Sequence, residues 1–228
     1  MLLIAIDTSG RNGSVALCQA DESSFTTLQM VTVEGGTYSA RLMPVIAELL
    51  ANRQLSKEQI DAFVVVSGPG SFTGLRVGLA TVKGLCEVLR KPLVAVSMLE
   101  AVAVARGPRD GHVAIALDAG RGEVYVGEFE IANSHASVVY ENISKLDAFA
   151  VDAASRKLAV LSPGAKIVEA LTQMASGAAA QDVETVHADE IGRLGLSKLL
   201  SGELADVATL DANYIRRSDA ELFSTPKR

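Results

Sequence analysis

The stretch from Ala62 to Ser97, AFVVVSGPGSFTGLRVGLATVKGLCEVLRKPLVAVS, constrains the fold more than any other part of the chain. Ala62 to Val66 is a short apolar, β-branched run closed by turn residues, the pattern of a strand buried on both faces. Ser67-Gly68-Pro69-Gly70-Ser71 forces a tight turn, because two glycines flank a proline of fixed φ. From about Thr73 to Leu89, the residues Leu75, Leu79, Val82, Cys86 and Leu89 recur as the stripe of an amphipathic helix. Gly74, Gly78 and Thr81 lie on a neighbouring face and are small enough for another backbone to come close. Lys91-Pro92 ends the helix, and Leu93 to Val96 forms a second strand. Strand, helix and strand in this order imply a parallel pair.

A glycine loop that opens a helix is suited to an anion, since free N–H groups and the helix dipole both favour negative charge. The spacings here depart from the common phosphate loops. A Walker A loop needs four residues between its glycines and then Lys-Ser or Lys-Thr, whereas Gly70 and Gly74 enclose only Ser71-Phe72-Thr73 and precede Leu75-Arg76. The dinucleotide pattern begins at Gly68 and Gly70, but Thr73 stands where its third glycine belongs. A nucleophile elbow needs serine midway between Gly70 and Gly74, and Phe72 is there. Spacing alone therefore favours a tight strand-to-helix turn with close packing.

The chain opens with strand Leu2 to Asp7, polar turn Thr8 to Asn12 and strand Gly13 to Leu17, a β-hairpin, and Phe25 to Val33 adds a third strand. A helix is predicted near Arg41 to Arg53, with Leu42, Val45, Ile46, Leu49 and Leu50 on one face. Pro44 fits that helix only in its first turn, which places the start close to it. Ser56-Lys57-Glu58-Gln59 matches a capping box for a short helix.

The second half begins in the same way. IAIDTSGRNGSVAL at the start is echoed by IALDAGRGEVYVG from Ile115, and Val64 to Gly70 is echoed by Ala159-Val160-Leu161-Ser162-Pro163-Gly164. Two matches in the same order indicate an internal duplication. The join falls in the Gly, Pro and charge-rich Arg106 to Gly111, giving subdomains 1–106 and 107–228. Thr172 to Gln181 reads as loop or helix end, Asp189 to Leu200 as helix, and the tail from about Leu210 to Phe223 is free to pack back on the first subdomain.

Composition narrows the function. A net charge of −6 over 228 residues, with 4% aromatics and no tryptophan, does not suit a protein that grips nucleic acid by itself. Arg216-Arg217 and Lys227-Arg228 read as solvated surface. Cys18 and Cys86 sit in apolar segments, as buried free thiols of a reducing compartment do. The N-terminal MLLIAID has no basic leader, and no apolar run approaches the roughly 20 residues that span a bilayer. The expectation is a soluble cytoplasmic protein with no membrane partner.

Two hairpins, each with an aspartate ending its first strand, resemble the actin, sugar kinase and heat-shock ATPase superfamily (ASKHA, ribonuclease H-like). That resemblance implies an α/β fold of two duplicated actin-like subdomains, each a mixed sheet with helices. Asp7 and Asp118 would be its metal and phosphate carboxylates, with Thr8 and Ser9 in the first phosphate turn. Active members carry glycine two positions after the first aspartate, where this chain has Ser9; Ser162-Pro163-Gly164-Ala165 supplies one glycine of the adenosine loop. The site thus reads as vestigial. As bare residues, both aspartates better suit turn caps that bond nearby N–H groups.

The run SGPGSFTGLRVG from Ser67 to Gly78 is similar to the signature of the bacterial TsaB family, also called YeaZ. IAIDTS, ALDAGRGEVYVGEF and Asn213-Tyr214-Ile215-Arg216 agree with it, so the resemblance spans nearly the whole chain. It implies a non-catalytic, dimer-forming scaffold and activator that partners a TsaD-type transferase and a TsaE-type ATPase. Together these place a threonylcarbamoyl group on the adenosine beside the tRNA anticodon. It implies no catalytic residue and no metal in this chain, no cofactor bound by the chain alone, ATP with Mg²⁺ only in the complex, and tRNA contacted only through the complex. Gly68, Pro69, Gly70, Ser71, Phe72, Thr73, Gly74 and Arg76 would form a partner-contact loop. Leu42, Val45, Ile46 and Leu49 of the first helix, with Gly74, Gly78, Thr81 and Val82 of the second, would form the pairing surface, chiefly on the Gly74/Gly78 side.

TsaD itself holds metal with a His-x-x-x-His pair, and Met98 and Val102 occupy those positions here. His112, His135 and His187 are too scattered to replace them. The chain departs from the family at Tyr38, where histidine is common, and at Ala212, where proline is usual. The alternatives are an ATP-dependent enzyme of the sugar kinase type or, with less support, a metallopeptidase-like hydrolase.

Overall fold

The computed structural model describes residues 1–21, 24–133, 135–174 and 179–213. It divides into two compact units, Met1–Ala101 with Val186–Ala212, and Val102–Thr185 with Asn213. In chain order the elements are β1 (Leu2–Asp7), β2 (Asn12–Ala20), β3 (Phe25–Glu34), α1 (Tyr38–Asn52), β4 (Ala62–Gly68), α2 (Phe72–Leu89), β5 (Leu93–Ser97) and α3 (Met98–Arg106). The same plan then recurs as β6 (Gly111–Gly120), β7 (Glu123–Ala132), β8 (His135–Lys145), α4 (Leu146–Arg156), β9 (Ala159–Ser162), α5 (Ala165–Met174), β10 (Ala179–Asp182) and α6 (Ala188–Ser201).

The duplication read from the sequence is a duplication of topology. One sheet runs β3-β2-β1-β4-β5 and the other β10-β9-β6-β7-β8. In each, an antiparallel three-stranded meander is joined to two parallel strands: β1 pairs with β4 and β4 with β5, β6 with β9 and β9 with β10.

In the first unit the sheet is covered on both faces. Ile4, Ile6, Val15, Leu17, Phe63 and Val65 alternate onto one face, all fully buried, and α1 and α2 pack on that sheet. On the other face α6 comes close enough that a Cβ on Gly192 would meet Ala5 and Cys18 at 3.2 and 3.3 Å, and one on Gly195 would meet Val64 at 2.3 Å. Ala188 also donates its N–H to Ser14 Oγ at 2.9 Å. Sequence position places α6 with residues 107–228; in space it completes the first unit. In the second unit α4 and α5 bury Phe149, Ala150, Ile167 and Leu171 against Ala114, Ala116, Val124, Val126 and Val160.

Two local expectations, on Pro44 and on 179–181, need correction, while the capping box is present. α1 starts at Tyr38, so Pro44 lies inside the helix rather than in its first turn. A proline there forfeits a backbone bond at a cost of about 3 kcal/mol. The buried stripe of Tyr38, Leu42, Val45, Ile46 and Leu49 offsets that cost while Pro44 faces solvent. The capping-box segment makes a single 3-10 turn, Lys57–Gln59, with Ser56 N–H on Gln59 Oε1 at 2.7 Å. Ala179 to Gln181, read as loop, belong to β10, a short mostly exposed edge strand whose apolar content is too low to mark it.

Candidate functional site

The signature turn packs on the turn between β1 and β2. Gly68 has φ +129°, a conformation open to glycine, and the Gly68–Pro69 peptide is cis. Ser71 donates its N–H to the carbonyl of Ser9 at 2.6 Å, and its Oγ caps α2 by accepting from Gly74 N–H at 3.3 Å. A Cβ on Gly70 would stand 2.4 Å from Ser9 O, one on Gly74 2.1 Å from Thr8 O, and one on Gly78 2.3 Å from Thr8 Oγ1. Small residues are required here because Gly70 and Gly74 meet the backbone of Ser9 and Thr8, and Gly78 meets the Thr8 side chain.

Tyr38 closes the arrangement from α1. It is buried and donates its hydroxyl to Gly10 O at 2.9 Å, while Gly13 and Gly74 leave room for its ring. Burial, with the Asp7 charge, pushes its phenol up to about 12. The residue that departs from the family pattern therefore belongs to the interior of the unit.

Asp7 is 4% exposed. Its Oδ1 accepts from both Ser9 N–H at 2.8 Å and Ser9 Oγ at 2.6 Å. Burial raises its pKa from the ordinary value, outweighing the Ser9 bonds and the His187 charge that pull the other way. In the second unit Asp118 makes the same turn, its Oδ1 accepting from Gly120 N–H at 2.7 Å, but it is exposed. Each aspartate thus caps its own hairpin turn. Among the described residues two buried hydroxyls have no hydrogen-bond partner: Thr8 Oγ1, beneath Gly78, and Ser162 Oγ, at the end of β9.

The signature divides in two. Gly68, Pro69, Gly74, Gly78 and Val82 point inward and are buried, whereas Ser71, Thr73 and Arg76 are exposed and Phe72 is half-buried. The Arg76 guanidinium stacks 3.7 Å over the Phe72 ring. Leu42, Val45, Ile46 and Leu49 are buried within the unit. The expected pairing surface on the Gly74/Gly78 side is therefore corrected: those glycines are spent on Thr8. Thr81 is half-buried, its hydroxyl bonded back to Val77 O at 2.8 Å. The open flank of α2 carries Ala80, Gly84 and Val88, the last 76% exposed, and a Cβ on Gly84 would meet nothing within 4 Å.

Met98 and Val102 are buried in α3, at 7% and 0% exposure. Among the described residues no group of three or more His, Cys, Asp or Glu is arranged to hold a metal, and no helix is long and apolar enough to cross a membrane. Two polar clusters leave little trace in the sequence. Glu128, 1% exposed, receives Arg156 through two bonds of 2.6 and 2.7 Å, Tyr140 OH at 2.6 Å and His112 Nε2 at 3.1 Å. Lys198 joins Glu100 at 2.9 Å and Glu203 at 3.1 Å. The one available signal was a glutamate inside the otherwise apolar run VYVGEF. Of the Asn213-Tyr214-Ile215-Arg216 motif, only Asn213 lies among the described residues; Ala212 is buried.

Two sheets of one topology, each opening on an aspartate-capped hairpin turn, define a duplicated actin-like protein. The family described as "TsaD: tRNA N6-adenosine threonylcarbamoyltransferase" matches residues 33–213. The Bacillus subtilis protein named tRNA threonylcarbamoyladenosine biosynthesis protein TsaB is 35% identical over 133 residues, 58% of this chain and 57% of that protein. Its Haemophilus influenzae namesake is 36% identical over 130 residues, 56% of this chain and 53% of that protein. The chain thus spans about half the length of the curated relatives it matches. The solved structure "YeaZ from Pseudomonas aeruginosa" aligns with a TM-score of 0.75 at 26% identity, over 93% of this chain and 99% of that one. The chain belongs to this threonylcarbamoyltransferase-related family and, within it, to the TsaB/YeaZ branch.

Proposed function

We propose that this chain is a non-catalytic scaffold and activator in the biosynthesis of threonylcarbamoyladenosine on tRNA, working in the cytoplasm with a TsaD-type transferase and a TsaE-type ATPase. One observation carries the non-catalytic part. In the first phosphate turn, Ser9 spends its N–H and hydroxyl on Asp7 and its carbonyl on Ser71. With Ser9 satisfied internally and the one unpaired hydroxyl of the turn, Thr8 Oγ1, buried beneath Gly78, little is left for a phosphate, which speaks against the sugar kinase alternative. At the positions matching the transferase's metal ligands, buried Met98 and Val102 offer a hard metal no oxygen or nitrogen donor.

The function then lies in surfaces. The pairing surface, whether for a second copy or for the transferase subunit, is the open flank of α2, where Ala80 and Gly84 let a partner helix approach and Val88 adds apolar area. Ser71, Thr73 and Arg76 present the exposed half of the signature to the same partner. Nucleotide and tRNA enter only with the assembled complex.

The test is isothermal titration with MgATP, first of the purified chain and then of its mixture with a TsaD-type subunit. The expected result is no binding alone and a stable, nucleotide-responsive complex after mixing. Micromolar binding by the chain alone, lost on Asp7→Ala, would overturn the reading in favour of an enzyme.

A further inference from the structure

Gly202 ends α6 in the left-handed region, φ +82°, and the chain then turns back over the first unit. Ala205 donates its N–H to Leu93 O at 2.8 Å, at the edge strand β5. Asp206 organises the next turn. Its Oδ1 accepts from Ala208 N–H and its carbonyl from Leu210 N–H, both at 2.8 Å. The segment 203–212 buries little of itself: Leu204 is 54% exposed, and only Ala212 is buried.

The hold on this strap is polar: Lys198 of α6 fastens its start at Glu203 and β5 fastens Ala205, while α2 fastens its second half. The Lys83 ammonium donates to Leu210 O at 2.8 Å and to Ala208 O at 3.4 Å. The Asp206 carboxyl, lowered first by the Ala208 bond and then by a Thr209 bond, feels the same charge. We infer that Lys83 is a latch that fastens the strap 203–212 to α2, so that the docking flank of α2 and the segment leading out of the first unit are set together. Lys83 is a positioning residue here, and the link to docking rests on the reading of α2 as the partner helix. Hydrogen bonds from a charged donor are worth enough to change local opening by roughly 10- to 100-fold. If a partner on the Ala80/Gly84 flank steadies α2, it steadies the strap, and by linkage the fastened strap favours the partner.

Amide hydrogen exchange on the full chain tests the latch, comparing the natural protein with Lys83→Met and Lys83→Arg. The Ala208 and Leu210 amides should exchange roughly 10- to 100-fold faster in Lys83→Met and return most of the way in Lys83→Arg, while Val82 and Cys86 stay protected. Unchanged strap amides in Lys83→Met would overturn the latch, as would equal acceleration of strap and α2, the mark of general loosening. Light scattering of the same variants reads the coupling separately. Weaker association in Lys83→Met supports it, and unaltered association beside a loosened strap overturns the coupling alone. A natural chain that forms no assembly refutes the docking role of α2, and the exchange result still decides the latch.

Discussion

Ser71 and Ser9 are joined main chain to main chain at 2.6 Å, which fastens the glycine signature to the first hairpin turn. The glycines around that bond are determined by contact. Their role is to let α2 and its turn sit on Thr8 and Ser9, and that placement leaves only the outer flank of α2 for anything else.

Gly70→Ala and Gly74→Ala should therefore each cost at least about 2 kcal/mol, because a methyl group would enter 2.4 Å from Ser9 O or 2.1 Å from Thr8 O. Gly84→Ala is the internal control. It adds a methyl to open space in a helix and should stabilise by about 0.5–1 kcal/mol. Urea unfolding of the three variants reads both signs at once.

Association should respond in the opposite order. Gly78→Leu would drive a side chain into Thr8 Oγ1 and damage the fold itself. Gly84→Arg should leave the melting temperature near that of the natural chain and abolish pairing, since it fills the approach on the open flank. Light scattering of a folded Gly84→Arg variant that still pairs at natural strength would exclude that flank as the interface.

Asp7 makes a pH-dependent prediction. Its folded pKa lies above the ordinary 3.8 because of burial. Its contribution is thus fully present below the unfolded value and is lost as pH rises through the folded one. Asp7→Asn keeps an acceptor for both Ser9 bonds without the buried charge. It should match or exceed the natural chain in stability at neutral pH, with the gap closing as pH falls toward 3.8. Thermal unfolding at a series of pH values follows the gap.

Glu128 should behave with the reverse sign. Burial pushes its carboxyl up, but the Arg156 and Tyr140 bonds, with the Arg156 and His112 charges, outweigh burial and hold it below the ordinary 4.5. Its stabilisation is present above 4.5 and is lost as pH falls through the lower folded value. Glu128→Gln breaks the bidentate pair and should cost about 2 kcal/mol at neutral pH, below the range for fully buried pairs because Arg156 is 41% exposed. That cost should shrink in acid.

What the sequence made legible was local or repeated. The hairpins, the β4–α2–β5 crossover and the duplicated order follow from periodicity, turn residues and self-similarity, which act over a few residues. The inward role of Gly74 and Gly78 did not, because smallness suits an intramolecular neighbour and a partner alike, and only the position of Thr8 decides. Pro44 misled for a related reason: the local penalty is real, but a buried stripe that includes Tyr38 outweighs it. Glu128 meets Arg156 across 28 residues, and Lys83 meets Leu210 across 127, distances at which no spacing rule operates.

The placement of α6 has the largest consequence. Residues 186–212 lie far from 1–101 in sequence, yet Ile191 is fully buried, Leu194 is 7% exposed, and Gly192 and Gly195 sit against Ala5 and Val64. Removing the helix would bare one whole face of the first sheet, and burial of each such side chain is worth about 1.5–3 kcal/mol. A chain cut after Thr185 should accordingly show strand-rich far-ultraviolet dichroism, strong dye binding and no cooperative melting of the first unit. Joining 186–212 to residues 1–101 through a flexible linker should restore a cooperative transition without residues 102–185. A cooperative first unit in the cut chain would mean that β1, β2 and β4 hold together under α1 and α2 alone.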